Sequence, residues 1–301
     1  MAKREIVQED IARVKKLLGE VIGKADCVSL ERMGGLTNRT YHAMMESGEE
    51  YVVRIPGEGT ETLINRSDEK KSTSLACNIG IDAQCLYFGE DGAKVTEYIR
   101  GAVTMSADKL KEEHRIKQMA EIFKRLHTCG GDTGVPFEVF AMADGYKKII
   151  ADMNEPMFVD YPAVEEEVAK IKAETDKLFE QTSVPCHNDP LCENWIVDEK
   201  DDMFLIDWEY AGMNDGMWDL ADVSIEANFQ AEQDEKLLRF YLGKTLDEND
   251  LKHFLAAKIY VDYLWTLWAK ARAPYDGQSM EDWALERYLR LKNNIANFKK
   301  I

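Results

Sequence analysis

Apolar residues recur along this chain with two different periods. In residues 7–22, Ile11, Val14, Leu17, Leu18, Val21 and Ile22 fall three or four apart, which predicts an amphipathic helix with a solvated outer face. Short segments of strand character follow at 27–33, 40–45 and 50–55, with Gly34-Gly35-Leu36-Thr37-Asn38 between the first two. A polar stretch at 61–79, with Leu63, Ile64, Leu75 and Ala76 as its apolar positions, predicts a helix. Two more strands are expected at 84–88 and 93–99, split by Glu90-Asp91-Gly92.

Past Glu97-Tyr98-Ile99-Arg100-Gly101 the pattern turns helical, so that stretch is read as a linker between residues 1–100 and 101–301. Ser106 is placed to cap one long helix running to Thr128, stopped by Gly130-Gly131. Its stripe is Leu110, Ile116, Met119, Ala120, Phe123 and Leu126, and His127 near its end reads as a structural histidine. Helices are expected at 137–150 behind Pro136, after Pro162, and at 216–229, where Asp219, Asp222 and Glu226 stand. From about Ala231 the chain reads as helical to its end.

Composition narrows the class. The 301 residues are enough for two modest lobes, and 45% hydrophobic with 31% charged content is globular. No apolar run approaches the ~20 residues that span a bilayer, and the first residues lack the apolar core of a signal peptide. A formal charge of −18 without a basic stripe argues against nucleic acid. Cys27, Cys77, Cys85, Cys129, Cys186 and Cys192 show no CxxC pair, so reduced thiols and a cytoplasmic location are expected.

The chemistry concentrates in Cys186-His187-Asn188-Asp189-Pro190-Leu191-Cys192-Glu193-Asn194-Trp195. His187, Asp189 and Asn194 stand at the H-x-D-x-x-x-x-N spacing of a kinase catalytic loop. Phosphoryl transfer from ATP needs a carboxylate to orient or receive the acceptor hydroxyl, and Asp189 is placed for that. It also needs hard oxygen ligands for metal. Asn194 supplies one, and Asp207, at the end of the apolar run Met203-Phe204-Leu205-Ile206, supplies another. Gly34 and Gly35 read either as a tight hairpin or as backbone that covers phosphates. Arg54 stands where kinases place a phosphate-contacting lysine, and reads either as that contact or as a surface arginine on an edge strand. Glu69 could pair with it, and the backbone of Glu97 to Ile99 is available to adenine. Trp265 and Trp268 share a helical face, as core or as a binding wall.

Taken together these motifs resemble the choline/ethanolamine kinases, most closely the bacterial choline kinases that supply phosphocholine for surface decoration. The likeness covers nearly the whole chain. It is carried by Met33-Gly34-Gly35-Leu36-Thr37-Asn38, Val53-Arg54, Leu63-Ile64-Asn65-Arg66 with Glu69, Glu97-Tyr98-Ile99, and the stretch from His187 to Trp195. Ile206-Asp207-Trp208-Glu209-Tyr210 and Trp218-Asp219-Leu220-Ala221 complete it. The resemblance implies an α+β, protein-kinase-like two-lobe fold, with a small antiparallel-sheet lobe and a mainly helical lobe. It implies ATP and Mg²⁺, with Asp189 as base, Asn194 and Asp207 on the metal, and Gly34, Gly35, Asn38, Arg54, Glu69, Glu97 and Ile99 around the nucleotide. Asp219 would brace the catalytic loop from below.

The implied acceptor is choline, whose quaternary ammonium must be met by aromatic faces and negative charge. Tyr210, Trp265 and Trp268 match the family's aromatic positions and Glu226 its acidic one, with Trp283 a further candidate. Ethanolamine, another small alcohol or an aminoglycoside are the alternative acceptors. A pseudokinase is the reading outside enzymes, opposed by the retention of Asp189, Asn194 and Asp207.

Overall fold

The computed structural model describes residues 8–33, 38–57, 65–180 and 182–301, and divides them between two compact units. The expected helix positions Leu63 and Ile64, like Gly34 and Gly35, lie outside the described residues.

The first unit takes Met1–Met105 and Glu193–Ala211. Helix α1 (Gln8–Ile22) precedes strands β1 (Cys27–Arg32), β2 (Asn38–Met45) and β3 (Glu50–Pro56). Helix α2 (Arg66–Asn78) then leads to β4 (Cys85–Phe88) and β5 (Lys94–Glu97). The strands form an antiparallel sheet in the order β1-β2-β3-β5-β4. Alternation puts Tyr41, Ala43 and Met45 of β2 on one face, where they meet Val53, Ile55 and Val95 and the Val14, Leu17 and Leu18 stripe of α1. One polar residue joins this core. Asp10 of α1 accepts hydrogen bonds from Arg39 at 2.6 and 3.0 Å and from the Tyr41 hydroxyl at 2.5 Å. Burial pushes its carboxyl up, but these bonds outweigh that and hold it below the usual range.

A second sheet in this unit joins β6 (Val103–Thr104) to two strands from much later in the chain, β8 (Trp195–Val197) and β9 (Met203–Leu205), in the order β6-β8-β9. This pairing is what brings residues 193–211 back to the first unit.

The second unit, Ser106–Cys192 with Gly212–Ile301, is mainly helical. The helix expected at 106–128 is two. Ser106 caps only α3 (Ala107–Leu110); Glu112 then adopts extended backbone, and α4 (Glu113–His127) begins after it. The gap from Leu110 to Ile116 in the apolar stripe marks the break. The helix expected at 137–150 is α5 (Val139–Asp152); Pro136 lies outside it and bridges Met213. Helix α6 (Tyr161–Leu178) carries Pro162 in its first turn, where the missing N–H costs nothing. Strands β7 (Val184–Cys186) and β10 (Gly212–Asn214) pair antiparallel.

Helices α7 (Gly216–Glu226), α8 (Ala231–Leu242), α9 (Glu248–Asp276) and α10 (Gln278–Phe298) complete the chain. Along α9, residues from Phe254 to Ala271 are buried on nearly every side, as befits a central helix. All six cysteines are free. Among the described residues no helix is long and apolar enough to cross a membrane.

Candidate active site

In the first unit a network of buried charge surrounds Glu69. Strand β3 delivers Arg54, and α2, capped by the Asn65 side chain on the Ser67 and Asp68 N–H groups, delivers Arg66 and Glu69. Glu69 accepts from Arg54 Nη1 at 2.5 Å and from Arg66 Nη1 at 2.7 Å. Arg54 also donates to the Gly92 carbonyl at 2.9 Å. Only glycine fits there: φ is 87°, and a Cβ would fall 2.5 Å from Arg66 Nε. Burial pushes the Glu69 carboxyl up, but the Arg54 charge and hydrogen bond prevail and hold it below the ordinary value.

The hairpin of β8 and β9 sets two more groups into this unit. Asn194 ends a single 3₁₀ turn, Cys192–Asn194, and its carbonyl accepts from the Ile206 N–H at 2.9 Å. Asp207 follows directly, at φ 71°, a left-handed conformation that costs an L-residue about 1 kcal/mol or more. Trp208 is buried beside it and donates to Asp82 at 3.0 Å. Burial pushes the Asp82 carboxyl up to about 6, against the opposing charge of Lys94. Glu209 accepts from Asn38 Nδ2 at 2.6 Å and from Arg66 at 2.8 Å. One carboxylate oxygen from each of Glu69, Asp207 and Glu209 lies within 4.8 Å of the others. Burial, and next the Asp207 charge, push Glu209 above its usual value.

The first unit thus brings together Asn38, Arg54, Glu69 and Asp207, with Asn194 one hydrogen bond from the residue before Asp207. Glu97 is exposed at the end of β5, and the Ile99 carbonyl accepts from the Ala102 N–H at 3.0 Å.

In the second unit the loop after β7 is fastened from beneath. Asp219 of α7 accepts from the His187 N–H at 2.8 Å and the Asn188 N–H at 2.7 Å, and its Oδ2 lies 3.0 Å from His127 Nε2. His127 also meets the Tyr241 hydroxyl at 2.8 Å, so it is a buried bracing group. Trp218 donates to the Asn188 carbonyl at 3.0 Å, and Asn188 takes the left-handed conformation at φ 66°. His187 and Asn188 are fully buried, whereas Asp189 is half-buried. A rigid base therefore presents one partly accessible carboxylate.

The same unit carries a row of indoles. Trp265 and Trp268 of α9 meet edge to face, with centroids 6.1 Å apart, and Trp268 meets Trp283 of α10 at 5.9 Å. The Arg287 guanidinium lies 3.9 Å over the Trp283 ring and pairs with Glu226 of α7. Trp265 is buried, and Trp268 and Trp283 are half-buried. Tyr210 belongs to the first unit, where it too is half-buried.

The sequence model for "Choline/ethanolamine kinase" matches residues 31–271. The chain belongs to the choline/ethanolamine kinase family. A solved choline/ethanolamine kinase family protein from Mesorhizobium loti superposes with a TM-score of 0.83 at 34% identity, covering 94% of each chain. Choline kinase LicA from Streptococcus pneumoniae gives 0.81 at 29% identity, over 96% of this chain and 100% of that one. Protein LicA of Haemophilus influenzae is 27% identical over 86% of this chain and 78% of its own length. The chain accordingly has the α+β, protein-kinase-like fold and is an ATP-dependent phosphotransferase with an alcohol acceptor.

Three residues of these clusters, Arg66, Glu209 and Arg287, stand outside the candidate residues that the motifs of this kinase sequence single out, and local spacing holds a trace of each. Arg66 lies one helical turn before Glu69, Glu209 two residues after Asp207, and Arg287 one turn after Trp283.

Proposed function

We propose that this family member is a choline kinase, transferring the γ-phosphoryl group of ATP to the hydroxyl of choline to give phosphocholine and ADP. The observation that carries the reading is the indole row Trp265, Trp268 and Trp283, in the same unit as Asp189 and tied to Glu226 through Arg287. A trimethylammonium group offers no N–H donor, so aromatic faces and negative charge are what can hold it.

In this reading Asp189 orients the choline hydroxyl and receives its proton as the O–P bond forms. Asp219 keeps the backbone of that loop from yielding. Arg54 presents a fixed positive charge to the phosphates, and Glu69 fixes it. Asn38, Gly34, Gly35, Glu97 and Ile99 are the remaining candidates for nucleotide contact, and Tyr210 is a further aromatic candidate for choline. The residues near Asp207 fit Mg²⁺: the donors are oxygens, and crowding of Glu69, Asp207 and Glu209 leaves a repulsion that a divalent cation offsets. Asn194 and Asp207 would hold it, and when bound it neutralises charge on the transferring phosphate.

Replacing Trp268 by Ala tests the wall. A desolvated cation–π contact is worth roughly 2 kcal/mol, so the KM for choline should rise by about tenfold or more while that for ATP holds. Steady-state ADP release, titrating each substrate in turn, reads this directly. Equal rises in both would remove the indoles from the choline site.

A further inference from the structure

One face of α7 carries three carboxylates, Asp219, Asp222 and Glu226, at positions i, i+3 and i+7. Two of them are committed. Asp219 accepts the His187 and Asn188 N–H groups, and Glu226 pairs with Arg287. Asp262 on α9 is equally buried, but Arg290 grips it at 2.7 and 2.9 Å. Asp222 differs from all of these. It is 1% exposed, and neither of its carboxylate oxygens has a hydrogen-bond partner among the described residues. A buried polar group left unmet is costly, and such groups in folded proteins nearly always have partners. An orphan of this kind calls for an explanation.

Its surroundings supply one. The charges acting on Asp222 are Glu226, Asp189 and Asp219 on the negative side and Arg287 on the positive. Along α7, Asp222 stands one turn from Asp219, which fastens the loop bearing Asp189. In the other direction it stands one turn from Glu226, whose partner Arg287 lies over Trp283, next to Trp268. Asp222 therefore falls between the carboxylate that would meet the acceptor hydroxyl and the indole row that would meet the acceptor's other end. Arg287 already satisfies Glu226, so the charge left unmet is that of Asp222.

We propose that Asp222 is the specificity-determining carboxylate that receives the cationic head of the acceptor, with Glu226 serving to anchor Arg287. This deepens the choline reading and rests on it. Burial first, and then the neighbouring Glu226 and Asp189, push the Asp222 carboxyl well above its ordinary value in the free protein. An arriving cation favours the ionised form, which suits a group whose partner is the substrate.

The test compares choline with its uncharged isostere, 3,3-dimethyl-1-butanol, in wild type and Asp222→Asn at saturating ATP. The wild type should prefer choline strongly, and Asp222→Asn should reduce that preference by about 30-fold or more, chiefly through the KM for choline, the scale for removing one partner of a buried charge pair. A variant that lowers both acceptors by one factor, keeping the preference, would make Asp222 merely structural and overturn the proposal. Should Asp222→Asn fail to fold, Asp222→Ser is measured against the same ratio: a fall in the choline preference of about 30-fold supports the proposal, and an unchanged preference overturns it. If the wild type instead prefers ethanolamine, the choline reading falls. Asp222 is then judged by the same loss of preference for ethanolamine over 1-propanol. No turnover of any amino alcohol would overturn both.

Discussion

Replacing Asp189 by Asn is expected to lower kcat for choline phosphorylation by about 10³-fold, within the range that a positioned general base contributes. The loop is held in place by other groups: Asp219 takes the His187 and Asn188 N–H groups, and Trp218 takes the Asn188 carbonyl. Asp189 itself is half-buried, so the isosteric change removes the charge without opening the packing. The melting temperature should stay within a few degrees of wild type, and ADP release in single-turnover and steady-state assays reads the loss. Retention of more than a tenth of kcat would take the proton-accepting role away from Asp189.

Replacing Asp219 by Ala should instead cost stability. Its carboxylate is fully buried and meets the two loop N–H groups and His127. Removing it strands buried donors, each worth roughly 1–3 kcal/mol, so a loss of about 3–5 kcal/mol is expected. Urea unfolding followed by circular dichroism should show the midpoint fall, with kcat falling too because the loop loses its brace. A stability within about 1 kcal/mol of wild type would mean that contacts such as those of Trp218 and Asn214 hold the loop without Asp219, since only surface changes are usually that mild.

Much of the fold was legible because its determinants are local. The stripe Val14, Leu17 and Leu18 faces the core as its spacing requires, and Tyr41, Ala43 and Met45 alternate as a half-buried strand should. His187, Asp189 and Asn194 lie within one short stretch, so their spacing could be read without knowing what packs around them. What local pattern does not show depends on distant contacts. Neither Lys111 nor Glu112 is a helix breaker, so the extended backbone at Glu112 that divides α3 from α4 shows in sequence only as the gap from Leu110 to Ile116 in the apolar stripe. Pro136 has the look of a helix entrance in sequence because its bridge partner, Met213, is far along the chain. Arg66, Glu209 and Arg287 look like solvated charges on a sequence. Arg66 and Arg287 are buried, and Glu209 is half-buried, because distant partners meet: Glu209 with Arg66, and Glu226 with Arg287. Asp222 shows in sequence as one acid among three on a helix, and its burial without a hydrogen-bond partner among the described residues shows only in the structure.

In the proposed reaction a cationic amino alcohol, choline, accepts the phosphoryl group. The most direct measurement is ADP release from Mg-ATP by the wild-type protein, with choline, ethanolamine and an aminoglycoside tested side by side. Choline should have the highest kcat/KM by at least about tenfold, since aromatic faces favour a desolvated quaternary cation. A higher kcat/KM for ethanolamine or the aminoglycoside would contradict it.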